Sequence, residues 1–152
     1  MKKIICLLIA LLTLTGCHRN TNDDQESSQI SQKGRETMQI TMSVNEQEFV
    51  IILEDNETVQ ALLKQLPLTM TMKDLNANEK YFNITSHLPT DEKSIGHIEA
   101  GDVMLFGDHC LVVFYESFSS SYRYTRLGKI EDVDAFVELA RQKQDITVTL
   151  SK

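Results

Sequence analysis

The chain has 152 residues, 41% of them hydrophobic, and a formal net charge of −7. That length and apolar content suffice for one packed domain of ordinary size plus an additional segment. A negative field repels phosphate backbones, and past the first few residues there is no Lys/Arg cluster, so nucleic acid is excluded as a partner.

The chain opens with Lys2 and Lys3, followed by an apolar run from Ile4 to Leu14 that is too short to span a bilayer. Leu14-Thr15-Gly16-Cys17 comes next and resembles the lipobox of bacterial lipoproteins: an aliphatic residue, two small residues, then the cysteine that is diacylated before cleavage. The resemblance implies a signal peptide over residues 1–16, lipidation of Cys17, and an extracytoplasmic place on the cell membrane or envelope. Two acyl chains, at about 0.8 kcal/mol per buried methylene, hold a soluble domain on a membrane without a spanning helix. With Cys6 removed and Cys17 acylated, Cys110 has no partner for an intramolecular disulfide, so stability must come from the core.

From residue 18 to residue 37 the chain has one aliphatic residue and no aromatic, too little to build a core. Together with Cys17 it forms a flexible tether over 17–37, with a reach of roughly 25 Å. The domain itself is expected over 38–152. Met38, Ile40, Met42 and Val44 alternate with polar residues, the period-two signature of a half-buried strand, and Glu48 to Leu53 forms a second strand across an Asn45-Glu46-Gln47 connection. Asp55 and Asn56 are placed to cap a helix over Glu57 to Leu66, whose inner face is Val59, Leu62, Leu63 and Leu66 and which Pro67 ends.

Leu68 to Met72 returns to period two, with methionines that read as core. Asn76 to Lys80 reads as a polar loop, Tyr81 to Ile84 as a short strand, and Ser86 to Asp102 as a long irregular stretch of the kind that is often functional. Val103 to Phe106 and Cys110 to Tyr115 form a hairpin through Gly107-Asp108-His109. Tyr122 to Ile130 is a further strand, Asp132 caps a second helix facing inward with Val133, Phe136, Val137 and Ala140, and Ile146 to Leu150 is the last strand. About eight short strands with two helices give a mainly β fold and favour a closed barrel, which leaves no exposed edges.

Chemical motifs are sparse. The sequence has no glycine-rich phosphate loop, no paired-cysteine motif and no His-Glu-x-x-His, so neither a cofactor nor a metal is expected. His87, His97 and His109 fall in or beside loops, too scattered to specify a metal site, and Cys110, followed by Leu111-Val112-Val113, reads as an inert thiol in or near the core. Catalytic residues cannot be named. What stands out is a concentration of aromatics, about half of which must simply be core: Tyr81, Phe82, Phe106, Phe114, Tyr115, Phe118, Tyr122 and Tyr124, with Arg123 and Arg126 alongside. Alternation places Tyr122, Tyr124 and Arg126 on one face, where an arginine beside tyrosines can grip a peptide carbonyl or a carboxylate. Tyr81, Tyr122, Tyr124 and Arg126 are therefore the candidate ligand-binding residues.

Three stretches carry a wider resemblance: Leu66 to Met72 with Asp74-Leu75-Asn76 and Glu79-Lys80-Tyr81, then Gly101 to Gly107, then Leu111 to Tyr115 with Ser121 to Gly128. In these the domain resembles the bacterial cyclophilin-like family over nearly all of Met38 to Leu150. The resemblance implies an eight-stranded barrel closed by two helices. It does not carry prolyl isomerase activity, because the Phe-His-Arg and Gln-Gly-Gly-Asp runs and the tryptophan of true cyclophilins are missing here. The expected function is thus a membrane-anchored, non-catalytic module that binds a peptide or small ligand at the barrel's mouth and its tyrosine-rich strand. The alternative is a divergent peptidyl-prolyl isomerase for exported proteins that uses Arg123 or Arg126, and a barrel that binds nothing is a third possibility.

Overall fold

The computed structural model describes residues 37–142 and 145–152, so the export segment, the Cys17 lipobox and almost all of the tether lie outside the described residues. Within them the order is β1 (Gln39–Val44), β2 (Gln47–Leu53), α1 (Glu57–Leu63), β3 (Leu68–Leu75), β4 (Glu79–Asn83), β5 (Lys93–Ile98), β6 (Asp102–Phe106), β7 (Cys110–Phe114), β8 (Phe118–Ile130), α2 (Val133–Gln142) and β9 (Ile146–Ser151). The fold is mainly β, as its alternating patterns require.

Local chemistry sets most boundaries. Asn45 and Glu46 both take left-handed backbone angles, with φ of 47° and 70°, and Val44 pairs with Gln47, so β1 and β2 are joined by two residues and Gln47 already belongs to β2. The Asn56 side chain accepts the Val59 N–H at 2.9 Å and caps α1. That helix ends at Leu63 rather than Leu66: the residue before Pro67 is driven out of helical angles, and the Gln65 N–H closes a tight last turn on the Leu62 carbonyl at 2.9 Å. Leu66 still packs against the core from beyond the helix.

Two segments depart from the sequence reading. The loop after β3 is only Asn76 to Asn78, and Glu79 and Lys80 open β4. Lys80 was expected in a solvated loop and is instead fully buried, because Asp74 across the β3–β4 pair supplies its counter-charge. The irregular stretch after Ser86 contains β5, which pairs only with β8 and is mostly exposed, so it lacks the apolar alternation by which strands are recognised. β8 is correspondingly longer than expected and takes in the Ser119-Ser120-Ser121 run.

The strands pair antiparallel throughout, in the order β2-β1-β9-β3-β4-β7-β6-β8-β5, and β8 also pairs with β2 through Ile51↔Ile130, Ile52↔Lys129 and Leu53↔Gly128. Eight strands therefore form a ring, with β5 as a ninth on the outer stretch of β8. Gly128 sits at the seam, where an added Cβ would lie 2.3 Å from the Ile52 carbonyl oxygen, so only glycine lets the two backbones approach. Inward-facing side chains such as Met42, Ile51, Met72, Leu105 and Val148 fill the ring, joined by Val59 and Leu62 of α1 and by Phe136 and Ala140 of α2. Phe136 meets Phe49 edge-on, with centroids 5.6 Å apart. The void left inside is about 20 Å³ and wholly apolar, room for one water at most.

Candidate functional site

Strand alternation that sends Leu111, Val113 and Tyr115 inward sends Cys110, Val112 and Phe114 outward. Outer faces of antiparallel sheets are commonly solvated, yet here the outer face of β4, β7, β6 and β8 is apolar. Ile98, Met104, Val112, Phe114 and Tyr124 form a second buried cluster, against which Tyr81, Ile95, Cys110 and Phe118 pack. β5 and the first half of β8 cover part of this face. The remainder is an open cleft of about 570 Å³.

Val112 and Cys110 lie at the base of the cleft, with Tyr81, Phe106, Tyr122 and Tyr124 around it. The rings form a chain: Phe106 contacts Tyr122 at 6.0 Å and Tyr124 at 5.5 Å, and Phe114 contacts Tyr124 at 5.6 Å and Phe118 at 5.8 Å. Among the described residues the exposed large hydrophobics are Leu75 (42%), Phe106 (44%) and Tyr122 (63%), and all three line this cleft. Exposed apolar side chains gathered in one concavity mark an interaction site more strongly than the same residues scattered would.

Polar groups line both ends, Asn83 and His109 near Cys110, and Asn78 and Glu79 at the start of β4. The Asn78 side-chain oxygen is buried in the wall without a hydrogen-bond partner, and Glu79 is buried next to it. Burial, with a smaller push from the charge of Asp74, raises the Glu79 carboxyl from 4.5 to about 7. Burial and then the nearby Glu79 also push the Cys110 thiol up, and the same two causes lead in raising Tyr124 to about 12. At neutral pH the cleft therefore presents neutral thiol and phenol groups beside a carboxyl near its midpoint.

Behind Glu79, on the inward side of β4, Lys80 Nζ donates to Asp74 Oδ2 at 2.6 Å and the Tyr115 hydroxyl donates to the same oxygen at 2.6 Å. Lys80 Nζ also lies 5.0 Å from the centre of the Tyr115 ring. For Asp74, burial raises the carboxyl, but the hydrogen bonds from Lys80 and Tyr115 and the charge of Lys80 outweigh it and hold the group below its usual range. Asp74 is thus held ionised, while among the described residues no cation pairs with Glu79, one residue from Lys80.

Three of the four sequence-derived candidates, Tyr81, Tyr122 and Tyr124, meet in this cleft. Arg126 does not. Tyr124 is the wall between the aromatic cleft and a second depression of about 370 Å³, and Arg126 lies in the latter, with Nη1 3.5 Å from the buried Asp102 carboxylate. The expected grouping fails because a buried carboxylate needs a cation and draws Arg126 away from the tyrosines. Arg123 is exposed and donates to the Glu92 carbonyl at 2.5 Å, so among the described residues no arginine lines the aromatic cleft. Cys110 faces the cleft rather than the main core, because it starts β7 on its outward register. Asn78 and Glu79 were missed, since polar residues at a strand start carry no periodic signal. His87 and His109, expected apart, converge on Asp108.

The raised Glu79 carboxyl makes a stability prediction. Between about pH 4.5 and pH 7 the folded chain binds a proton that the unfolded chain has released, so this group's contribution to stability falls as pH rises through that window. Glu79→Gln should remove this component, and urea unfolding at about pH 5 and about pH 8 should show the variant gaining on the parent at the higher pH. An equal difference at both values would place the Glu79 carboxyl in its ordinary range.

A model described as the cyclophilin-like family matches residues 42–151. Among solved structures the chain is similar to McbB in complex with tryptophan, with a TM-score of 0.59 and 19% identity over 75% of this chain and 44% of McbB. It is also similar to a hypothetical protein from Archaeoglobus fulgidus, with a TM-score of 0.58 and 19% identity over 76% of this chain and 94% of that one. The chain thus spans less than half the length of McbB, and at these identities the likeness is one of fold. No curated protein matches the sequence. The family match runs from within β1 to the end of β9 and takes in the whole ring, so the chain belongs to the cyclophilin-like family.

Proposed function

We propose that this protein is a lipid-anchored, extracytoplasmic binding module whose outer cleft takes an aromatic small molecule or peptide side chain carrying an N–H donor. The observation that carries the reading is the cleft itself: the exposed Leu75, Phe106 and Tyr122 meet there, beside a buried Asn78 oxygen that lacks a hydrogen. An aromatic ring would cover the apolar surface, with Glu79 at hand for its N–H or for a positive charge. That McbB binds tryptophan fits this ligand class. The eight-stranded ring acts as a closed barrel in this reading, a rigid support for the cleft. The isomerase alternative needs an arginine beside an apolar pocket, and this cleft has none along its lining.

Tryptophan is a usable probe because the chain contains none, so its emission can be followed without interference. Titration with tryptophan and with indole should show saturable binding to the parent chain. Tyr122→Ala, which removes a ring without disturbing buried packing, should weaken binding by roughly tenfold, about 1.4 kcal/mol. Failure of every aromatic probe to bind, or equal binding by the variant, would overturn the cleft assignment. Prolyl isomerisation by the chain that is lost in Arg126→Ala would favour the isomerase instead.

The anchor is tested separately. Cys17→Ser should eliminate the acyl mass increment and, because acylation precedes cleavage, leave residues 1–16 on the chain. An unchanged mass would exclude lipidation at Cys17.

A further inference from the structure

The β6–β7 turn carries Asp108 and His109, and the segment after β4 carries His87. Two backbone hydrogen bonds hold these pieces together, from the Ile84 N–H to the His109 carbonyl at 2.9 Å and from the Leu88 N–H to the Asp108 carbonyl at 2.7 Å. The side chains of Ile84 and Leu88 are buried in the main core, so His87 stands on a segment fixed on both sides. His87 Nδ1 lies 2.7 Å from Asp108 Oδ2, and His109 Nδ1 lies 2.7 Å from Asp108 Oδ1. One carboxylate thus gives an oxygen to each of two imidazoles, whose rings are 5.5 Å apart. Donor atoms of the three residues all lie within 4.8 Å of one another.

We infer that His87, Asp108 and His109 form a binding site for a divalent transition-metal ion such as zinc, cobalt or nickel. Two imidazole nitrogens with one carboxylate suit these ions, whereas calcium and magnesium prefer oxygen ligands alone. Bonds of about 2.1 Å set neighbouring ligands roughly 3.0 to 3.4 Å apart, so to share one ion the 2.7 Å contacts open by a few tenths of an ångström while donor atoms up to 4.8 Å apart close. In this arrangement each Nδ1–H donates to a carboxylate oxygen, so an ion takes the place of these protons, which move to Nε2 or leave as the Nδ1 lone pairs turn to the metal. All three side chains reach solvent, which leaves positions for water, and the chain's net negative charge favours cation approach. His109 also lines the aromatic cleft, so the ion would stand at its rim, but the site does not depend on the cleft being filled.

The test is calorimetric titration of the chelator-stripped full chain with Zn²⁺, paired with Co²⁺ absorption. One ion per chain is expected, with affinity reduced tenfold or more in His87→Ala and in His109→Ala and unchanged in His97→Ala. Asp108→Asn, which preserves the shape of the turn, should weaken binding as well and serves if a histidine variant fails to fold. No heat and no visible band at millimolar ion would overturn the assignment. So would binding that survives the loss of either histidine, which would place the ion elsewhere on the chain.

Discussion

A ring of eight strands filled by its own side chains leaves no room for a ligand inside it. The interior void of about 20 Å³ is lined only by apolar atoms, and each buried aliphatic or aromatic side chain there contributes roughly 1.5–3 kcal/mol through removal from water. Among the described residues the larger concavities open on the outer surface. The seam at Gly128 makes this possible: by closing β8 on β2 it completes the core and leaves the first half of β8 free to lean outward with β5. The cleft is the gap between that outward arm and the outer faces of β4, β7 and β6.

The chemistry of the cleft depends on the same strands that pack the core. Successive residues of β4 face opposite ways, so Lys80 enters the interior with Asp74 and Tyr115 while Glu79 lines the cleft, with no cation paired to it among the described residues. Burial first, and then the charge of Asp74, raise Glu79 to about 7. A parallel division occurs along β8, where Tyr124 is shared by both depressions and Arg126 serves Asp102. One aromatic cleft and one polar depression result from a single strand.

Much of this was readable from the sequence. Period-two runs located β1, β3 and β9, the Asn56 cap and the Val59–Leu62 spacing located α1, and the concentration of aromatics led to Tyr81, Tyr122 and Tyr124, which do meet in one cleft. What escaped was set by partners distant in sequence. Lys80 looks like a loop lysine until Asp74 is placed across the strand pair, and β5 looks irregular because it is held by β8 rather than by a core face. Arg126 shares its alternation with Tyr124, yet alternation fixes only the side of the sheet and not where a long side chain goes; the buried Asp102 decides that. His87 and His109 are 22 positions apart, and only the backbone bonds between the two loops bring them to one carboxylate.

The central claim, that ligands meet the outer aromatic cleft and not the ring's interior, is tested most directly by methyl NMR of the chain with and without tryptophan. Shifts confined to Leu75, Val112 and their neighbours, with Ile40 and Val148 inside the ring unmoved, are the predicted result. Shifts among the interior methyls, or shifts centred on Ile95 beside Arg126, would contradict it.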